Sequence, residues 1–253
     1  MRFSSLGSGS KGNATLVEED STCVLIDCGF SLKETEQRLA RLGKKAAELT
    51  AILVTHEHGD HISGVAALAH KYNIPVYTTR GTCRASEWKY NIVNQYFDTQ
   101  NIFTIGALQI QPVAVPHDAK EPSQFIISNG CHRLGVLTDV GSITTHMCEQ
   151  YYGCDALFVE CNHDVELLNA SVYPEMLKRR VGGDYGHLSN VQAAEFLKTV
   201  INDKIQHVVI GHLSEKNNTP AHALHAVSRA LACAESDIGV ANQLNGFDWQ
   251  KIA

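Results

Sequence analysis

Three histidines and an aspartate crowd into six residues, His56, His58, Asp60 and His61, within Thr55-His56-Glu57-His58-Gly59-Asp60-His61. Imidazole nitrogens and carboxylate oxygens are the ligands that borderline divalent metals prefer. The cluster directly follows the apolar run Ala51-Ile52-Leu53-Val54 and precedes a stretch, 62–72, whose apolar residues recur at helical spacing, so it reads as a strand-to-helix loop. In open α/β sheets, catalytic groups gather at that position, beyond the carboxyl end of a strand. His56 and His58 are two apart, so in an extended loop their rings can point the same way, whereas on a helix they would diverge. Asp60 and His61 then sit at the turn into the helix and can face a second ion. The pattern is not the helical HExxH protease motif, because the fourth residue after His56 is Asp60. Any one of these histidines alone would more often be a solvated loop residue; the set points to metal.

Such a loop needs a scaffold. Short apolar runs at 14–18, 23–27, 51–55, 75–78, 108–115, 124–127, 133–138, 156–160 and 207–210 read as strands. Between them, 31–42 and 190–200 open with capping-box patterns, Ser31 with Glu34 and Ser189 with Gln192, and 220–232 opens with a proline suited to a first helical turn. Strands and helices interleave from end to end, which is α/β organisation rather than two segregated halves. No repeat, low-complexity tract or linker divides the 253 residues, and a single domain spanning 1–253 is expected.

Composition narrows the function. Hydrophobic residues make up 44% and charged residues 19%, the balance of a globular protein. No apolar run approaches membrane-spanning length and the start lacks a signal-like stretch, so no membrane partner and a cytoplasmic location are expected. Eight cysteines without a CxxC pair make a zinc ribbon improbable and fit a reducing compartment. A formal charge of −6 argues against a non-specific grip on nucleic acid through bulk charge, while leaving room for a local basic groove.

The HxHxDH pattern carried by His56, His58, Asp60 and His61 resembles the hallmark of the metallo-β-lactamase superfamily. That resemblance implies a four-layer αββα sandwich, two mixed sheets face to face with helices outside, and metals at one edge. It also implies three more ligands, each just after a strand, and His117, Asp139 and His212 stand in those places. One ion would be held by His56, His58 and His117, the other by Asp60, His61 and His212, with Asp139 bridging. Seven nitrogen and carboxylate ligands without thiolate suit two ions of zinc or manganese, with iron also open. Two divalent ions against two aspartates leave the centre positive, so a bound water is expected to ionise near neutral pH as a bridging hydroxide. Asp60 could also orient or accept the nucleophile's proton, giving it a catalytic role. Asp27, as its equivalent does in the family, would brace the metal loop as structural support.

Further segments, Leu6 to Asn13, Glu160 to Asp164, Tyr173-Pro174 and Asp184 to Asn190, look like the bacterial YycJ or WalJ branch, described as metal-dependent nucleases acting on DNA 5′ ends. Ribonuclease Z and PhnP belong to related branches. The implied function is a phosphodiesterase, foremost a DNA 5′-to-3′ exonuclease. His187 in its Gly-His-Leu-Ser turn is a candidate to protonate the leaving oxygen or to bind phosphate near an exposed helix N-terminus. His163 is a second substrate-binding candidate, and Lys178, Arg179 and Arg180 could contact a nucleic-acid backbone. Ser8 to Asn13 reads as a tight connection between the first strands, without the GKS or GKT of a phosphate loop. His132, His146, His207, His222 and His225 show no ligand spacing.

Three alternatives stay open. A small cyclic or nucleotide phosphodiester agrees better with −6 than DNA does. Thioesterase or lactonase chemistry usually needs extra elements after the core, and only about 40 residues follow His212. A metal-holding module without turnover sits poorly with a full ligand set. The interval from Asp139 to His212 is too short for the inserted domain of β-CASP nucleases. Oligomeric state is left open.

Overall fold

A computed structural model describes residues 1–253. Its fourteen strands divide equally between two sheets. In spatial order the first is β14 (Phe247–Lys251), β1 (Arg2–Gly7), β2 (Ala14–Glu19), β3 (Thr22–Ile26), β4 (Ala51–Leu53), β5 (Val76–Thr78) and β6 (Asn94–Tyr96). The second is β13 (Ile238–Val240), β12 (His207–Gly211), β11 (Ala156–Glu160), β10 (Arg133–Leu137), β9 (Ser123–Ser128), β8 (Leu108–Ala114) and β7 (Phe103–Ile105). Each sheet is antiparallel in one part and parallel in the other. The parallel parts are β3 to β6 in the first and β10 to β13 in the second.

Alternation along the strands builds the layers, because successive side chains point to opposite faces. Val24 and Ile26 enter the core between the sheets, while Leu25 faces the helices α1 (Leu32–Arg41) and α3 (Val65–Tyr72). In the other sheet Phe158 faces inward, while Leu157 and Val159 meet α5 (Thr145–Tyr151), α8 (Asn190–Val200) and α9 (Pro220–Leu231). Three buried clusters therefore separate four layers, the αββα sandwich of the metallo-β-lactamase fold. No helix is long and apolar enough to cross a membrane. All eight cysteines are free thiols.

The helix expected at 62–72 is broken. A single turn, α2 (Gly59–Ile62), precedes α3, and at the break Gly64 donates its N–H to Cys28 O at 2.8 Å, tying the segment after the His56–His61 loop to the chain just past β3. The remaining helices are α4 (Arg80–Ser86), α6 (Val165–Ala170) and α7 (Glu175–Val181), and α7 has no buried residue. The capping box at α8 is complete, with Ser189 Oγ accepting from Gln192 N at 3.3 Å and Gln192 Oε1 from Ser189 N at 2.9 Å. At α1 only half forms, because the Glu34 carboxylate turns instead to Arg38.

Candidate metal centre

The parallel strands all point their carboxyl ends at one edge of the sandwich, and there the chemistry-bearing side chains meet. Asp27 follows β3, the His56–His61 segment follows β4, Asp139 follows β10, Glu160 ends β11 and His212 follows β12. Asp27, Asp139 and His212 turn out of their strands in the left-handed region, at φ of 60°, 53° and 53°. Aspartate and histidine tolerate that region better than most residues, but it still carries strain of order 1–3 kcal/mol, which the surroundings must hold. Two close approaches fix the walls: a Cβ on Gly29 would strike the backbone of Asp60, and one on Gly141 the backbone of Asp184.

Three nitrogens converge on one point. His56 Nε2 lies 3.0 Å from His58 Nδ1, which lies 3.3 Å from His117 Nε2. His117 Nδ1 donates to Gly186 O at 3.0 Å, so its Nε2 must present a lone pair. His56 Nδ1 is engaged by Thr55 Oγ1 at 2.9 Å, leaving its Nε2 facing the same way. A single proton on His58 Nδ1 could satisfy only one of the two lone pairs turned on it, whereas a cation among the three nitrogens satisfies them all. Burial, reinforced by the neighbouring His61, also holds His56 well below the ordinary histidine pKa, the neutral form a metal needs.

Beside this triad Asp60, His61, Asp139 and His212 bring their ligand atoms within 4.8 Å of one another. His61 Nδ1 donates to Asp27 Oδ2 at 2.7 Å, directing Nε2 to Asp139 Oδ2 at 3.1 Å. Asp60 Oδ2 lies 3.5 Å from His61 Nε2 and 3.6 Å from His212 Nε2. Asp139 Oδ2 and His212 Nε2 are buried with no hydrogen-bond partner, which is costly unless something else satisfies them. Orphaned atoms and converging lone pairs both fit two divalent ions. Burial disfavours charge on His61 and His212, but Asp139 with Asp27 and Asp60 carries His61 well above its usual range, and Asp139 with Asp60 and Glu160 pushes His212 up to about 10. Protons and metal ions thus compete for the same nitrogens.

Asp27 sits where a brace for the metal loop must sit. Its carboxylate accepts from Thr55 N at 2.9 Å and Thr55 Oγ1 at 2.7 Å as well as from His61. His187 lines the cavity of about 380 Å³ that opens over both clusters, together with His58, Asp60, Asp139 and His212. At the helix N-terminus behind His187, Ser189 and Asn190 are buried, the N–H of Asn190 goes to His163 O at 2.8 Å and that of Gln192 to Ser189 Oγ at 3.3 Å, which leaves little of this end open to a phosphate. His163 does not reach the metal cavity either. Backbone pairing with Ser189 turns it away, and its ring lines a neighbouring cavity with Lys178 and Arg179. Of the basic run, Arg180 alone lines the metal cavity, held there by Asp118 Oδ2 at 2.6 Å. His132, His146, His207, His222 and His225 all lie outside it.

Two carboxylates had no role in the sequence reading. Glu160 is wholly buried, and its Oε1 accepts from Val140 N at 2.8 Å and Leu188 N at 3.1 Å. Its Oε2 accepts from His187 Nδ1 at 3.1 Å and His212 Nδ1 at 3.2 Å. Burial opposes its ionisation, yet His187 and these hydrogen bonds win and hold it at about 2. Asp118 Oδ1 stands 3.5 Å from His117 Nε2. The signals for Glu160 were an acidic residue closing an otherwise apolar strand and its place at the head of the branch-like segment Glu160 to Asp164; for Asp118 it was adjacency to His117.

The profile of the beta-lactamase superfamily domain matches residues 22–212. Exodeoxyribonuclease YycJ of Bacillus anthracis is 37% identical over 98% of this chain and 96% of its own length. Exodeoxyribonuclease WalJ of Streptococcus pneumoniae is 34% identical over 94% of this chain and 91% of its own. The crystal structure of the metallo-beta-lactamase fold protein YhfI from Bacillus subtilis superposes with a TM-score of 0.76 at 16% identity, covering 98% of both chains. A family profile spanning most of the chain, end-to-end relatives and this ligand-rich edge agree: the chain belongs to the metallo-β-lactamase superfamily, as a metal-dependent hydrolase of its YycJ/WalJ branch.

Proposed function

We propose that this chain is a DNA exonuclease that degrades from 5′ ends toward 3′, hydrolysing phosphodiesters with two divalent ions, zinc or manganese first among them. The observation that carries this reading is the opening of both ligand clusters into one cavity that also holds His187. The names of the end-to-end relatives support a nucleic-acid substrate.

His56, His58 and His117 would hold one ion, and Asp60, His61 and His212 the other, with Asp139 between them. Ions so held would supply a water ionised near neutral pH as nucleophile and neutralise charge on the phosphoryl oxygens. The chain's own residues do the rest. Asp60, held by Asn13 Nδ2 at 3.3 Å from its Oδ2, would accept the one proton this water gives up on ionising and orient the hydroxide that remains. His187 has Nδ1 fixed on Glu160, which leaves Nε2 free to hold a proton for the departing oxygen. Arg180, anchored by Asp118, offers its remaining N–H groups to a backbone phosphate.

Duplex DNA labelled at either the 5′ or the 3′ end, incubated with manganese or zinc, tests the reading when His58→Ala is run in parallel. Progressive loss from the 5′ end by wild type, absent in the variant, is the expected result. A second reading, hydrolysis of a small cyclic or nucleotide phosphodiester, is favoured by the net charge of −6. Intact DNA alongside cleavage of such a compound would select it.

A further inference from the structure

A second cavity of about 380 Å³ opens where the sandwich ends, between β6 and β7. Its walls include Tyr77, Arg80, Tyr96, Phe97 and Phe103. Tyr77 and Phe103 stack with centroids 5.4 Å apart and planes within 4°, and Phe97 stacks on the same Phe103 at 5.3 Å and 21°. Phe97 also meets the buried Phe125 edge-on, so the stack is rooted in the core. Opposite in character, Tyr96 leaves 49% of its surface in water, with the Arg80 guanidinium 4.6 Å over its ring.

This cavity shares an edge with the metal centre. Its floor, β5, pairs with β4, which leads into the metal loop. His117 and the cavity residue Glu121 stand on one loop, tied down by Lys120 N donating to Glu57 Oε1 at 2.8 Å and Thr79 Oγ1 donating to Glu121 O at 3.1 Å. Four residues of chain span at most about 14 Å, so the two sites are a few nucleotides apart along a strand.

We propose that this cavity is a base-stacking subsite that takes an unpaired nucleobase of the substrate strand, a few nucleotides from the scissile bond. The inference rests on the nuclease reading above. Every base has π faces that aromatic rings and guanidinium groups can cover, so such a site grips a single strand without reading its sequence. Gln95 supplies a donor and an acceptor for base edges and Asn101 its amide oxygen, while Arg80 and the nearby Arg84 supply charge for phosphates. The acidic groups present are already engaged, Asp98 by Asn101 Nδ2 and Gln100 N, and Glu121 by Gly81 N. Net charge supplies the further argument. At −6 the chain cannot hold DNA by bulk attraction, and stacking provides grip that salt does not screen.

The test compares KM for a 5′-phosphorylated dinucleotide and a 5′-phosphorylated decathymidylate in wild type, Tyr96→Ala, Tyr96→Phe and Arg80→Gln. Wild type should gain affinity with length. Tyr96→Ala should lose between about fivefold and a hundredfold of that gain, in KM rather than kcat, which is the range for one stacked base. Tyr96→Phe should keep the gain, since it retains the ring, and Arg80→Gln should lose part of it. A Tyr96→Ala protein with the full wild-type gain overturns the subsite and leaves the nuclease reading standing. If wild type cleaves bis(p-nitrophenyl) phosphate but neither oligonucleotide, the nuclease reading falls and takes the subsite with it.

Discussion

Replacing Glu160 with glutamine probes how the centre is held. The backbone N–H groups of Val140 and Leu188 can bond only to an oxygen, so the amide oxygen must stay with them. The amide NH₂ then faces His187 Nδ1 and His212 Nδ1, both of which donate to the wild-type carboxylate. Donor meets donor, and each ring must move its proton to Nε2. For His212 that nitrogen is the one presented to Asp60 and the proposed metal, and a protonated nitrogen cannot ligate. Two charge-assisted hydrogen bonds at about 1.5–3 kcal/mol each put the loss of folding stability at roughly 3–6 kcal/mol. Loss of such a supporting carboxylate typically lowers metal affinity about 10- to 100-fold, roughly 1.4–2.7 kcal/mol. Competition of the stripped protein against a chelator for zinc gives the affinity, and thermal melting gives the stability. A Glu160→Gln protein binding zinc within about threefold of wild type and melting where wild type melts would refute the reasoning.

His163 gives a pH prediction independent of metal. Burial, only partly offset by Glu160, pushes its pKa down to about 4. A histidine buried neutral binds its proton more readily when unfolded, so stability is intact above about 6.5, falls as pH drops, and levels off below about 4. The loss amounts to up to about 3 kcal/mol; denaturant melts of His163→Leu should show a flatter decline across that window, and an unchanged slope would contradict it. His187→Gln should slow DNA cleavage by roughly 10²- to 10⁴-fold, as expected for loss of a general acid. It should slow bis(p-nitrophenyl) phosphate far less, because p-nitrophenolate leaves without a proton, and equal losses on both substrates would exclude the general-acid role.

How much of this was legible in sequence follows from what each feature depends on. The metal loop could be read because its ligands are contiguous and follow an apolar strand. His117, Asp139 and His212 came from the family resemblance, which expects a ligand just past each of three strands, and the structure brings them beside that loop. Glu160 bonds to Val140, His187, Leu188 and His212, and Asp118 to Arg180, all far away in sequence, so the local signals, an acidic strand end and adjacency to His117, do not reveal what these carboxylates do. The left-handed backbone of Asp27, Asp139 and His212 is likewise imposed by packing. Three-residue strands such as β6, β7 and β13 carry too few alternations to register, and β14 alternates but is short. The exposed α7 buries no residue fully, and Leu177 and Val181 alone are too few to establish a helical period. The single helix expected at 62–72 failed at Gly64, whose N–H is claimed by Cys28 rather than by the helix. That His163 faces the neighbouring cavity with Lys178 and Arg179 was not legible, because proximity to β11 says nothing of which way the chain turns after it.

Metal content per chain, measured after reloading stripped protein with manganese or zinc and removing loose ions, tests the two-ion centre most directly. The prediction is two ions in wild type, one in His58→Ala and one in His212→Ala, with hydrolysis of bis(p-nitrophenyl) phosphate lost in both variants. Two ions kept by either variant, a single ion in wild type, or undiminished hydrolysis would contradict it.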